Sequence, residues 1–118
     1  MLSRSHRFHG YGSLRRTYSN GQTARGSLVS LRFASRPAGK PYRVAVVVSR
    51  KVHKSAVVRN RIRRRVYELV RQSESVPPAT DLIFMVFSDQ IASLETGRLN
   101  AIISELLDKA NLQPKKTA

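Results

Sequence analysis

Cysteine is absent from the 118 residues of this chain. Its absence removes disulfides, Cys-based zinc sites, iron–sulfur clusters and thiol catalysis together. Acid is scarce as well: 7 Asp+Glu stand against 22 Lys+Arg, for a formal net charge of +15. No apolar run approaches the ~18–20 residues that a membrane-spanning helix needs. The length allows one domain rather than two, residues 1–118, with 1–12 and 113–118 expected to be flexible. Hydrophobic residues make up 41%, enough for a modest core, which excludes wholesale disorder.

The charge that is present is segregated. All seven acids lie at or beyond Glu68, so residues 1–67 carry 17 Lys/Arg and no acid. A basic lobe on an otherwise ordinary domain is the footprint of a polyanion, and nucleic acid is the default partner. An anionic membrane is the second candidate, but no long amphipathic helix with exposed large apolar groups supports it. The Arg- and Ser-rich, acid-free residues 1–27 also match the composition of a mitochondrial presequence. Gly10, Gly12 and Gly21 weaken the amphipathic helix that such a presequence needs. Residues 1–12 contain no apolar stretch of the secretory kind.

Hydrophobic periodicity places the elements. Residues 1–12 read as irregular, with Phe8 and Tyr11 as anchors. Ser13 can cap a short helix over 14–19, ended by Asn20-Gly21. A short strand is possible near 22–25. In 27–34, Val29, Leu31 and Phe33 alternate with Ser30 and Arg32, a strand pattern. Residues 35–41 hold Pro37, Gly39 and Pro41 and read as a loop. Residues 42–49 form a nearly continuous β-branched run, expected to be a central strand covered on both faces and paired antiparallel with 27–34. A helix over 56–73 follows, with Val58, Ile62, Val66, Leu69 and Val70 on one stripe. Pro77-Pro78 breaks the chain. Residues 81–88 make a third apolar strand, with Asp81 and Asp89 as its surface ends. Ser93 is expected to cap a last helix running to about residue 110. The fold class is therefore α+β, an α-β-β-α-β-α sandwich with a central mixed sheet of three to four strands.

The segment 50–71 carries nine Lys/Arg in 22 residues. Arg59, Arg61, Arg63, Arg64 and Arg65 surround the apolar stripe of one helix, and several repel each other at i,i+4 spacing. Only Glu68, four residues from Arg64, offers local compensation. A solvated helix face normally mixes signs, so the charge run points to a polyphosphate surface, which Arg recognises with a two-pronged fork.

Catalytic machinery is hard to assemble from the same residues. His6, His9 and His53 all lie in the acid-free lobe, without a carboxylate nearby in sequence to complete an acid–base pair. His6-x-x-His9 lacks an evident third metal ligand. Gly10-x-Gly12 follows no strand, so it does not read as a phosphate-binding loop. No catalytic and no metal-binding residue is expected in the protein. Tyr42, Phe84 and Phe87 read as core rather than as stacking platforms.

Val58-Arg59-Asn60-Arg61-Ile62-Arg63-Arg64, entered from Ser49-Arg50-Lys51 at the end of a Val-rich strand, resembles the Arg-Asn-Arg motif of the bacterial ribonuclease P protein subunit. Arg7-Phe8, the run from Leu14 through Tyr18 to Gly21, and the strands 43–49 and 81–87 fall in that family's order. The resemblance spans roughly residues 4–110. It implies an accessory subunit of an endoribonuclease whose catalysis resides in a large RNA. The complex removes the 5′ leader of precursor tRNA with Mg2+ bound mainly by the RNA. The implied partners are ribonuclease P RNA and precursor tRNA, with no membrane, a monomeric protein and a bacterial cytoplasmic location.

By motif match, the implied RNA-binding residues are Arg50, Lys51, Lys54, Arg59, Asn60, Arg61, Arg63, Arg64 and Arg65. Leu14, Tyr18 and Arg32 match positions of the leader groove. The implied fold is like the second domain of ribosomal protein S5, with a left-handed βαβ crossover, where ~98% of such crossovers are right-handed. Several positions depart from the family pattern. Leu14 and Arg32 stand where aromatics are common, so leader contact leans on charge more than on stacking. His53-Lys54-Ser55 replaces a short Gly-containing turn. Arg65 replaces an aliphatic residue and Tyr67 an arginine. The alternative is a small basic ribosomal or RNA-chaperone protein using the same lobe.

Overall fold

Residues 4–8 and 11–112 are described by a computed structural model of the chain. The elements run α1 (Tyr11–Asn20), β1 (Gln22–Ala24), β2 (Val29–Ser35), β3 (Arg43–Val48), α2 (Ala56–Gln72), β4 (Thr80–Val86) and α3 (Thr96–Leu112). Short 3-10 turns occupy Arg4–His6 and Asp89–Ala92. The four strands form one mixed sheet in the order β1-β2-β4-β3. The α+β class, the mixed sheet and the short strand after α1 agree with the sequence pattern.

The pairing differs from expectation. β2 and β3 are not neighbours: β4 inserts between them, antiparallel to β2 (Leu31 opposite Phe84) and parallel to β3 (Val46 opposite Phe84). The reason is burial. In β4 six of seven residues are buried, so it takes the centre of the sheet. In β3 buried and half-buried residues alternate strictly, and it lies at the edge with one face partly open. Its β-branched run therefore does not mark a strand covered on both faces. The outer edge of β3 is blocked in three places, as exposed edges require. Arg7 bridges to Val44, the Tyr67 hydroxyl accepts from the Val46 N–H, and Arg63 Nη2 donates to the Val48 carbonyl.

One face of the sheet carries the main core. Val29, Leu31 and Phe33 of β2, Leu82, Phe84 and Val86 of β4, and Val44, Val46 and Val48 of β3 pack under α2 and α3. From α2 come Ile62, Val66 and Val70, three members of the expected stripe; from α3 come Leu99, Ile103, Leu106, Leu107 and Ala110. Full burial of each large side chain contributes about 1.5–3 kcal/mol. Phe84→Ala, at the centre of this core, would cost about 3–5 kcal/mol.

The opposite face is covered only in part, by α1. That helix begins at Tyr11, so Ser13 lies inside it rather than at its cap. It ends where Gly21 N–H bonds the Thr17 carbonyl at 2.9 Å. A Cβ at Gly21 would sit 2.4 Å from that carbonyl and 3.0 Å from the Phe33 carbonyl, so the turn into β1 needs glycine. α3 begins at Thr96, three residues beyond the expected Ser93 cap. Ser93 instead closes the turn Asp89–Ala92, its N–H bonding Gln90.

Asp81 is not a surface end of its strand. It is 3% exposed and held by Arg43, Arg36 and Thr17. Of the aromatics expected in the core, Phe84 is buried and Tyr42 is half-buried, stacked on His6 at 3.9 Å between ring centroids. Phe87 is 55% exposed. The expected flexible ends, 1–12 and 113–118, fall largely outside the described residues. Within the first of them, residues 4–8 dock on β3 and Phe8 lies under the Arg43 guanidinium.

Candidate RNA interface

The basic link between β3 and α2 is built by the residues it carries. Ser55 caps α2 by accepting from the Val58 N–H, and the Ser55 N–H donates to His53 Nδ1 at 3.0 Å. Arg59 reaches back from the first turn and donates to the carbonyls of His53 and Lys54 at 2.9 and 2.8 Å. The link is thus tied to the helix, and Arg50, Lys51 and Lys54 are carried on it as exposed cations.

Along α2 the arginines divide by what they touch. Arg63 donates to Asn60 Oδ1 at 2.6 Å and to the end of β3, which fixes the Asn60 amide beside it. Arg65 is turned onto the protein itself and donates to the carbonyls of Ile91 and Leu94, docking α2 on the turn before α3. Arg61 and Arg64 are exposed, with no hydrogen bond or ion pair to a described residue. Glu68 does not compensate Arg64. It pairs with Arg71, three residues on, and accepts from Gln72. The Arg71 hydrogen bonds hold the Glu68 carboxyl down to about 2. The free cations are therefore Arg50, Lys51 and Lys54 on the link and Arg61 and Arg64 on the helix.

Two of the three expected groove residues share a cleft on the other face of the sheet, and the third, Arg32, is near enough to Tyr18 for its charge to act on it. Leu14 and Tyr18 of α1, with Arg15, Ser19 and Val47, line a cleft of about 390 Å3. Burial raises the pKa of the Tyr18 hydroxyl above its ordinary value, and the positive charge of Arg32 pulls it partly back. Arg32 is held by Thr23 Oγ1 at 2.8 Å and the Gly21 carbonyl at 3.0 Å. Its Nε is buried without an acceptor among the described residues.

Strand register completes the floor. Arg32, Ile83 and Ala45 form one row, and Ser30, Met85 and Val47 the next. Val47 and Met85 are half-buried floor residues that the sequence reading missed. Their alternation was visible, but the order of the strands was not. Among the described residues no group of three His, Asp or Glu gathers closely enough to hold a metal ion. No helix among them is long and apolar enough to cross a membrane.

An α+β sheet with one half-open face, flanked by a cation-bearing helix whose free arginines have no partner among the described residues, defines a small RNA-binding protein. The comparisons narrow this class. The family model Ribonuclease P matches residues 2–111. A "Ribonuclease P protein component" of Synechococcus sp. (strain JA-2-3B'a(2-13)) is 34% identical over 116 residues, covering 95% of this chain and 86% of the relative. One from Synechococcus sp. (strain WH7803) is 34% identical over 113 residues, covering 94% and 85%. The solved RNase P protein of Staphylococcus aureus superposes with a TM-score of 0.78 at 20% identity, covering 92% of this chain and 98% of that one. That of Thermotoga maritima gives 0.76 at 19% identity, covering 87% and 96%. The two structures show the same fold.

The chain belongs to the ribonuclease P protein family, the protein components of an endoribonuclease that processes tRNA. That membership brings partnership with ribonuclease P RNA, and it favours the first functional reading over a ribosomal or RNA-chaperone role.

Proposed function

We propose that the protein grips ribonuclease P RNA with the free cations of the link and α2, and lays the 5′ leader of precursor tRNA in the groove under α1. Catalysis resides in the RNA, which holds most of the Mg2+, and the protein acts as a monomer in the bacterial cytoplasm. The observation that supports this reading most is the pair Arg61 and Arg64, exposed and uncompensated on a helix whose other arginines are engaged. Guanidinium groups without a protein partner keep all their donors for phosphate. Asn60, oriented by Arg63, adds a neutral donor one turn before Arg64.

The groove works differently. Its floor is apolar at Ala45, Val47 and Met85, with Tyr18 as a stacking face and Arg32 as a fixed cation. An unpaired strand can set bases against the floor and phosphates near Arg32 without being read base by base. The protein contributes binding and positioning, so its effect on cleavage is largest when Mg2+ is too low for the RNA to hold its substrate alone.

The test is 5′ cleavage of precursor tRNA by the cognate ribonuclease P RNA at low Mg2+, with and without the protein. Strong stimulation that fades in an Arg61→Ala/Arg64→Ala double variant is expected. Tight RNA binding without stimulation would overturn the reading.

A further inference from the structure

We infer that Phe87 is a second stacking platform in the groove, one that takes an unpaired leader base beyond Tyr18. The inference rests on the proposed leader groove and extends it by a residue. Phe87 follows the last residue of β4, the central strand. Its N–H bonds the Leu28 carbonyl at 2.8 Å, so the chain is still extended and paired at this point. Alternation along an extended strand then turns its ring to the face of Ile83 and Met85, the floor of the groove. Neighbouring Val86 points the other way, into the main core. At 55% exposed, Phe87 leaves its aromatic surface open at the end of the groove floor, where a base can reach it.

Register shows where the ring lies. Val86 is the partner of Val29 on one side and Val48 on the other. One residue on, Phe87 bonds Leu28, while β3 ends at Val48 and leads through Ser49 into Arg50 and Lys51. The exposed ring therefore follows the row at which the neighbouring strand gives way to the link and its free cations. Aromatic face plus adjacent cations is the combination that holds an unpaired nucleotide, base on the ring and phosphate on the charge.

The row of Arg32 and Ile83 is four residues from Phe87 along the strand, roughly 13 Å. Tyr18 and Arg32 serve the covered end of the groove and Phe87 the open end, so one strand runs from under α1 onto the link. The groove and the cationic surface of α2 then form one continuous path.

The experiment uses the holoenzyme, the protein with its cognate RNA, and precursor tRNAs that each carry 2-aminopurine at one leader position. With the unaltered protein, fluorescence is quenched at one position beyond the one that responds to Tyr18→Ala. Phe87→Ala is expected to restore that signal and to raise Kd for precursor tRNA about 5- to 100-fold, leaving Kd for mature tRNA unchanged. Phe87→Tyr keeps both quenching and affinity. The ring is exposed, so neither variant should disturb folding, and thermal unfolding of both checks this.

Equal precursor affinity in Phe87→Ala overturns the inference while leaving the proposed function standing. An equal loss for precursor and mature tRNA overturns it too, because the ring then contacts the tRNA body or the RNA subunit. If the unaltered protein neither stimulates cleavage nor distinguishes precursor from mature tRNA, the leader groove itself fails, and Phe87 with it.

Discussion

The Arg43 guanidinium grips the buried Asp81 carboxylate at two points, Nε to Oδ1 at 2.7 Å and Nη2 to Oδ2 at 2.8 Å. The two residues are register partners on parallel neighbours β3 and β4, so the fork ties the edge strand to the central one. Thr17 of α1 donates to the same carboxylate at 3.4 Å, and Arg36 approaches it at 3.6 Å. One acid thus fixes the covered end of the groove. Removing its charge leaves two cations facing a neutral amide in a mostly dry site. Asp81→Asn should cost about 3–5 kcal/mol of stability, measured by urea unfolding. Thr17→Val should cost about 1.5–3 kcal/mol, since it removes a hydrogen bond to an ionised carboxylate. An Asp81→Asn protein as stable as the parent would show that the fork is replaceable.

The arginines of α2 should separate by experiment as they do by geometry. If about six phosphates are neutralised, log K for RNA should fall against log[salt] with a slope near −5. Arg61→Ala/Arg64→Ala should flatten that slope by about 1.5–2 without changing stability. Arg65→Ala should do the reverse, because its donors are engaged by the carbonyls of Ile91 and Leu94. It should lower stability by about 1–3 kcal/mol and leave the slope nearly unchanged. A flattened slope in Arg65→Ala would mean that its guanidinium leaves these carbonyls when RNA binds.

Glu68 supplies a pH signature on the same helix. Its carboxyl is lowered from 4.5 to about 2, chiefly by hydrogen bonds from Arg71. A folded pKa below the unfolded one means the contribution is fully present above about 4.5 and is lost as pH falls toward 2. The pair is exposed, so salt should weaken it. An NMR titration of the Glu68 side chain should show a midpoint near 2, moving up toward 4.5 in Arg71→Ala. A midpoint at the ordinary carboxylate value in the unaltered protein would show that the pair does not persist in solution.

The elements of this fold were legible in the sequence because each obeys a local rule. The stripe Ile62, Val66, Val70 marks α2, the break at Pro77-Pro78 precedes β4, and Gly21 closes α1. Strand order was not legible, because it depends on a comparison between strands. β3 reads as more continuously apolar than its burial warrants, and only the insertion of β4 reveals Ala45 and Val47 as groove floor. Asp81 was misplaced for the same reason. Its partners Thr17, Arg36 and Arg43 lie 64, 45 and 38 residues away, beyond the reach of any periodicity. The basic helix was visible as a charge run, but which arginines are free depends on carbonyls at Val48, His53, Ile91 and Leu94.

A final prediction comes from the backbone just before β4. Ala79 has a φ of 50°, the left-handed region, and is the one non-glycine residue in it among those described. An L-residue pays roughly 1–2 kcal/mol for this conformation because Cβ crowds the following carbonyl. The turn holds it there: the Ala79 carbonyl accepts from the Arg36 N–H at 2.7 Å, which aligns the loop between β2 and β3 with the start of β4. Ala79→Gly removes the crowding and keeps that hydrogen bond, while the freer unfolded chain takes back part of the gain. The expected net is a stabilisation of about 0.5–1 kcal/mol, read as a rise in Tm of about 2–5 °C. The position is at the covered end of the groove, remote in the sheet from Ser49 and the free cations that follow it. The salt dependence of RNA binding should therefore be unaltered. A fall in Tm would mean that the turn needs the alanine methyl more than it suffers from the strain.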